Sequence, residues 1–581
     1  MNKSVFTSIK LSTILITAGI AAQAHASGYH FGTQSVSSQA TANSSAAEAA
    51  DPSTIFYNPA GLTKLEGTQA TINLNLVVPS IESYDQKGYY PYDAQGNEVE
   101  GSKGEAIKGS SNNSIDPGLT FAPHTYASHQ INDRVAVGLG IFVPFGSGTE
   151  YERDSVLRYN LNELGLQTIA IQPTVAFKLN DQHSFAVGLV AQNTSAELRQ
   201  YANFGPAIRD GMADISKAGS PQGLAAIDAG LKQYTDGINA ADAGISAMQA
   251  ALQANPNNEA LKAKLASTIQ NRNQAVVAKK ELEATKAYVV KSKPAADYTL
   301  SKMSASGNGQ VDGHAKVKGD DWGFGYNLAW MWDINDAVRV GVNYRSKVEH
   351  NLKGHAEWYL NDGLFNDKLV GAGLQELIRS RGYAAKESAS VKIVTPESLS
   401  MHGMWKVDPK WNLFADATWT RHSRFNQAIL QYENMKGVLG AGVDGKDNKS
   451  NKTVLNPNWK DTWKFGVGAS YQVTEPMQLR FGLAYDQSPV RSSEYRMSTL
   501  PDNDRIWFSV GGKYDINKHH SVNVAYSYIY IKDADAQVNG YGTDKVARGP
   551  SSTASVSSKT NGSAKFDSNA HILGVQYTYK F

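Results

Sequence analysis

The sequence predicts an all-β fold: a 14-stranded antiparallel transmembrane β-barrel with an N-terminal hatch and a helical insertion in one extracellular loop. Three observations predict it. The chain ends on strict alternation, six tight turns divide it into up-and-down pairs, and one heptad stripe interrupts the pattern once. In "HILGVQYTYKF", Leu573, Val575, Tyr577, Tyr579 and Phe581 alternate with Gly574, Gln576, Thr578 and Lys580. Period two with a terminal Phe puts one face to lipid and the other to a polar interior.

From the N-terminus, Lys3 and Lys10 form a positive stretch before the apolar run Leu11 to Ala22, and Ala24-His25-Ala26 follows. That run is too short to span a bilayer, so residues 1–26 read as a cleaved signal peptide and the chain as exported. Residues 27–66 are small and polar without alternation. Two readings stay open: a hatch inside the barrel, or a periplasmic tail. Within this segment Asn58-Pro59 suits the start of a short helix, with the Asn side chain as its cap and Pro at its first position.

Strands begin near Gly67 and run to Phe581. Trp322, Phe324, Tyr326, Leu328, Trp330 and Trp332 share one face of their strand. So do Trp463, Phe465, Val467, Ala469, Tyr471 and Val473, and then Val522, Val524, Tyr526, Tyr528 and Tyr530. Aromatic side chains near strand ends form an interfacial girdle. Asn-, Asp- or Pro-bearing turns stand near residues 132, 180, 335, 408, 475 and 516, with long Gly-, Asn- and Ser-rich excursions between them. Short turns at one end and long loops at the other describe an outer-membrane barrel.

The excursion at 201–315 differs. Ile227, Leu231, Tyr234, Ile238, Ala241, Ile245, Met248 and Leu252 step by threes and fours, "NPNNE" breaks the stripe, and Leu261, Leu265, Ile269 and Val276 resume it. The spacing predicts an antiparallel helical hairpin above the membrane.

Composition narrows function. A net charge of +2 argues against nucleic acid, and an exported chain with no cysteine is not a disulfide scaffold. No triad spacing, metal-ligand spacing, P-loop or dinucleotide pattern occurs, so no enzyme and no cofactor is expected. Strand parity turns Lys460, Lys464, Arg345, Arg480 and Arg505 inward, where they either receive an anionic head group or pair with nearby acids. The third strand, "VAVGLGIFVPFGSGTEY", carries Pro144, Gly146 and Gly148. Proline cannot donate to a ladder, so the strand either ends there or kinks and leaves a lateral gap.

Taken in order, these features resemble the FadL-type long-chain fatty acid transporters of the bacterial outer membrane. The resemblance rests on "NPA" at Asn58, "GDDWGFGYNLAW" at Gly319 and "NYRSKVEHNLKG" at Asn343. It continues in "VDPKW" at Val407, "NWKDTWKFGVG" at Asn458, "YDQSPV" at Tyr485 and "LPDNDRIWFSVG" at Leu500. It implies residues 27–66 as a hatch within a barrel of 67–581, in the outer membrane with its lipid and lipopolysaccharide, as a monomer. It implies passive uptake of a long-chain fatty acid or similar hydrophobic compound. The ligand carboxylate would lie on Arg199 and Lys460, Asn58, Pro59 and Ala60 would belong to the gate, and exit would be sideways past Pro144 and Gly146. Parity does not turn Arg199 inward, so this implication requires a bulge near Ser195. Uptake of monoaromatic hydrocarbons, and a surface adhesin or receptor built on the helical loop, are the alternative functions.

Overall fold

In the computed structural model, residues 32–99, 101–115, 120–437, 449–539 and 560–581 are described; the signal-peptide segment lies outside them. The wall contains fourteen strands, several of them broken once along their length. They are β1 (Thr68–Tyr89), β2 (Thr120–Asn132), β3 (Val135–Phe142, then Gly146–Glu150), β4 (Leu161–Lys178) and β5 (His183–Asn203). Next come β6 (Asp312–Asp333), β7 (Val338–Arg345, then Val348–Tyr359), β8 (Lys386–Thr395, then Ser398–Lys406) and β9 (Trp411–Thr420, then Ala428–Gly437). The last are β10 (Lys449–Leu455, then Thr462–Thr474), β11 (Met477–Asp486), β12 (Arg505–Asp515), β13 (His520–Asn539) and β14 (Asn561–Lys580). Each pairs antiparallel with its sequence neighbour. The barrel closes where β1 meets β14, from Gln69 opposite Lys580 to Tyr89 opposite Asn561. All six predicted turns fall at one end.

Alternation decides which face each strand presents. Leu573, Val575 and Tyr577 are exposed on the outside, while Gln576 and Thr578 are buried in the lumen. Exposed Trp322, Tyr485 and Tyr530 stand toward the loop end, and Trp405, Trp411 and Tyr514 toward the turn end. Two aromatic belts with aliphatic side chains between them fit a bilayer, whose interfaces favour amphipathic rings. No helix among the described residues is long and apolar enough to cross a membrane; the strands cross it.

At the loop end, α3 (Gly205–Ala218), α4 (Pro221–Ala254) and α5 (Glu259–Lys302) form the predicted excursion. At 1.5 Å per residue, the 44 residues of α5 reach roughly 65 Å. The α4 stripe is half-buried against α5, except Tyr234, which is exposed. On α5 the half-buried line runs through Leu261, Leu265, Thr268, Arg272 and Ala275. Ile269 and Val276 point to solvent instead. An ion pair explains the choice: Arg272 Nε reaches Asp242 Oδ1 at 2.9 Å across the hairpin, which fixes the register one residue away from the apolar line.

The hatch fills the lumen. Its pieces are α1 (Val36–Gln39), α2 (Thr54–Tyr57) and a 3₁₀ turn at Pro59–Lys64. Ser35 caps α1 by accepting from the Ser38 N–H, and Asn58 Oδ1 accepts from the Ala60 N–H at 3.0 Å. The wall makes room with glycines. Gly468 and Gly482 face each other across β10 and β11. A Cβ on Gly482 would sit 2.0 Å from the Thr41 carbonyl carbon, and one on Gly468 2.4 Å from Ser44 Oγ. Backbone cannot yield as a side chain end can, so Gly482→Ala should displace the hatch while the barrel still assembles. A cysteine placed at Ala42 should then label faster with a water-soluble thiol reagent. Gly403→Ala, whose nearest neighbour would be 3.8 Å away, should change neither labelling nor heat resistance.

Candidate functional site

Between hatch and wall lies a cavity of about 100 Å³. Gln34, Asn43, Phe56 and Tyr57 line it from the hatch, and Asn343, Arg345, Asp416, His422, Thr462, Lys464 and Asp486 from the wall. Of the four predicted ligand cations, two meet here: Lys464 and Arg345. Lys464 Nζ lies 4.6 Å from the Trp507 ring centroid, and Arg345 lies 4.4 Å from that of Phe56. Arg345 Nη1 donates to Gln172 Oε1 at 2.9 Å and Nη2 to the Phe56 carbonyl at 3.1 Å. Neither cation makes an ion pair within 4.0 Å among the described residues, although Asp416 and Asp486 share the cavity. The other two inward cations are neutralised, Arg480 by Glu48 of the hatch and Arg505 by Asp502 and Asp486.

Lys460 and Arg199 lie elsewhere. The parity that turns Lys464 inward does not extend to Lys460, because the ladder begins only at Thr462 and Lys460 lies in the break of β10, its N–H donating to the Pro489 carbonyl at 2.9 Å. Trp459 is buried there and Lys460 is exposed. Arg199 stays on the outward parity: β5 pairs with β6 from His183 opposite Trp332 to Asn203 opposite Asp312 with no bulge. Its donors are taken by Glu163 at 2.8 Å, Glu150 at 3.0 Å, Asn162 at 2.6 Å and the Tyr151 carbonyl at 3.3 Å.

Asn58 does more than cap its turn. Its Nδ2 donates to the Trp330 carbonyl at 3.0 Å and lies 2.8 Å from His402 Nε2, tying hatch to wall. Pro59 and Ala60 are buried behind it. Lys64 reaches Asp333, and Arg339 donates to the Ala47 and Glu48 carbonyls. The Tyr57 phenol accepts from Gln34 N and donates to Asn43 Oδ1, each at 2.9 Å. Burial raises its pKa above the usual value, so it stays a neutral donor.

The third strand breaks at Val143 to Phe145. Below the break, β3 pairs with both neighbours, up to Thr125 opposite Ile141 on β2. Above it, Gly146 to Glu150 pairs only with β4 among the described residues. Pro144 thus lies in a break of β3 between two paired stretches; this break, on the side toward β2, is the seam. Pro123 stands on the β2 side of the same seam, a residue that pattern reading passed over because it sits in the middle of a regular alternation. Behind the seam sits Gln34. Its Nε2 donates to the Val143 carbonyl at 2.8 Å, and its own carbonyl accepts from Tyr126 Oη at 2.9 Å. Phe142 stacks beside Phe56 at 5.2 Å and Tyr126 at 6.0 Å. Gln34 thus stands between cavity and seam. Nothing in the local sequence marked it, since its partners lie 109 and 92 positions away.

Comparison with known proteins agrees with this architecture. Residues 17–581 match the family described as outer membrane protein transport protein (OMPP1/FadL/TodX). A putative outer membrane protein of Neisseria meningitidis serogroup B is 46% identical over 98% of both chains. A long-chain fatty acid transport protein of Escherichia coli O6:H1 is 24% identical over 71% of this chain and 69% of that one. Among solved structures, a Pseudomonas aeruginosa FadL homologue superposes with a TM-score of 0.65 at 20% identity, covering 95% of this chain and 100% of that one. The Ralstonia pickettii toluene transporter TbuX gives 0.51 at 15% identity, covering 94% and 98%. The chain belongs to the FadL/TodX family of outer membrane transport proteins, which carry hydrophobic compounds.

Proposed function

We propose that this chain takes up long-chain fatty acids by passive diffusion, from the extracellular loops through the lumenal cavity and out sideways through the seam beside β3. The observation that carries the reading is the pair Lys464 and Arg345 in a cavity whose side toward the seam is closed by Gln34. A carboxylate needs a cation free of acid partners, and an acyl chain needs an exit that avoids water. At about 100 Å³ the cavity holds only a few groups of water size, roughly 30 Å³ each, so an acyl chain enters only when the hatch moves. Relatives named long-chain fatty acid transport proteins support the ligand class. Monoaromatic hydrocarbons are a second reading, favoured by the Phe56, Phe142 and Tyr126 rings beside the seam.

Two experiments separate these steps. Lys464→Ala should weaken binding of labelled oleate by about 1.5–3 kcal/mol, the scale of a charge-assisted hydrogen bond, and leave toluene binding nearly unchanged. Equal losses for both ligands would remove the carboxylate role. A larger loss in Lys460→Ala would move the head group outside this cavity.

Replacing Pro144 to Gly148 by alternating Val and Thr should let β3 pair along its whole length and seal the seam. The variant should fold and still bind oleate, because ladder bonds are gained and the loops are untouched. Uptake by cells should fall, since leaving into water forfeits about 0.8 kcal/mol per methylene. Normal uptake by a folded, surface-exposed variant would rule out the lateral route.

A further inference from the structure

The outward face of β4 to β8 changes character above the exposed rings of Trp322 and Phe324. Below them the exterior is apolar. Above them a crevice of about 330 Å³ opens, lined on the outward parity by Gly165, Gln167, Ser195, Glu197, Lys318 and Asp320. A Cβ on Gly165 would meet nothing closer than 4.0 Å, so the crevice is open to a ligand. Register sets its surroundings. Lys353 of β7 stands opposite Asp320, and Lys392 of β8 stands opposite Asn351, two residues further down β7. Diagonal neighbours in a sheet lie roughly 7–8 Å apart, within reach of two long side chains sharing one ligand. Ser390, on the same outward parity, is opposite Lys353.

Charge favours an anion. Lys316 and Lys318 share Glu197, at Lys318 Nζ to Oε2 2.9 Å. Lys353 and Lys392 are exposed and make no ion pair within 4.0 Å among the described residues. The other nearby acids are Asp320, Glu349, Glu163 and Glu150; Glu349 already pairs with Lys347, and Glu163 and Glu150 with Arg199, while Lys316 also lies 3.8 Å from Glu163. Four lysines and Arg199 thus face Glu150, Glu163, Glu197 and Asp320 around the crevice, and Lys353 and Lys392, which make no ion pair among the described residues, are the charges left for an anion.

Location names the occupant. Tryptophan settles at the membrane interface, so side chains just above Trp322 lie among the head groups of the outer leaflet. Lysine is a compact point charge suited to phosphate, and basic clusters at this depth hold anionic lipid. We infer that the exterior crevice of β4 to β6, completed by Lys353 and Lys392, binds the phosphate of a phosphorylated lipid head group in the outer leaflet. The site is separate from the lumenal route and holds whether or not that route carries fatty acids.

The test is equilibrium binding of fluorescent dioctanoyl phosphatidic acid to the full chain in a neutral detergent. The wild type should bind saturably, and Lys318→Gln/Lys353→Gln/Lys392→Gln at least tenfold more weakly. Lys262→Gln/Lys264→Gln/Lys280→Gln, which removes equal charge from α5, should bind as the wild type does. If the triple variant loses its heat-resistant barrel, Lys353→Gln and Lys392→Gln singly should each show a severalfold loss. Unchanged binding in the folded variants overturns the proposal. So does equal binding of dioctanoyl phosphatidylcholine, or an equal loss in the α5 variant. Inorganic phosphate competing at the same concentration as the lipid would assign the site to a free anion and overturn the lipid source.

Discussion

A barrel wall in lipid leaves no backbone group unpaired, and the seam beside β3 is where this chain answers that constraint without a strand partner. Pro123 and Pro144 bring no N–H to the gap. The Val143 N–H goes to His124 Nδ1 at 3.3 Å, and the Phe145 N–H to Thr168 Oγ1 at 2.8 Å. The Val143 carbonyl is taken by Gln34 of the hatch. Side chains therefore do the work of a ladder, and one of them belongs to the hatch. Withdrawing Gln34 would leave a buried carbonyl without that donor, at about 1–3 kcal/mol unless another donor arrives. Seam and hatch are linked through Gln34, whose side chain holds the Val143 carbonyl and whose own carbonyl accepts from Tyr126.

The rest of the hatch is held by fit and by charge in different regions. Against β10 and β11 the contact is backbone on glycine, which leaves no space for adjustment. Near the turn end the ties are ionic: Arg480 with Glu48, Lys64 with Asp333, and Arg339 on two carbonyls. Toward the cavity the ties are single hydrogen bonds from Gln172, Asn343 and Arg345 to the Ile55 and Phe56 carbonyls. On the proposed route, a segment fixed this unevenly moves first where lone hydrogen bonds to carbonyls rather than ion pairs or tight fit hold it, which is the side that faces cavity and seam.

Features with a local cause were legible in the sequence. Alternation and turn chemistry act within a few residues, so strand number, turn positions and the lipid face of Leu573 to Phe581 followed directly. Lys464 and Arg345 came out inward because each still stands in a regular ladder, at its end beside the break: Arg345 opposite Asn327 and Ser398, Lys464 opposite Thr418 and Asp486. Lys460 did not, because the strand starts at Thr462 and parity has no meaning in the break before it. Ile269 and Val276 read as seam because apolar spacing cannot register that Arg272 would find Asp242 on the other helix. Arg199 came from resemblance, and its saturation by Glu163 and Glu150 depends on two other strands. Gln34 and Pro123 matter only through partners far along the chain.

On the proposed reading, Arg345 connects ligand to gate. Its guanidinium lies between the Phe56 and Phe142 rings and holds the Phe56 carbonyl of α2, one residue from Tyr57, whose hydroxyl accepts from the Gln34 N–H. Toward the same guanidinium, a carboxylate adds opposite charge and can accept two parallel N–H bonds, which a neutral carbonyl cannot. A fatty acid head group arriving in the cavity would thus compete for the donor that fixes Phe56. Loss of that bond leaves α2 held here only by the neutral donors Asn343 and Gln172, and loosens with it the Tyr57 hydroxyl that positions Gln34 at the seam. A neutral hydrocarbon has no means to take that donor. The same residues would then pass a toluene-sized molecule only as often as the hatch opens on its own, while an anionic ligand lowers the cost of its own passage.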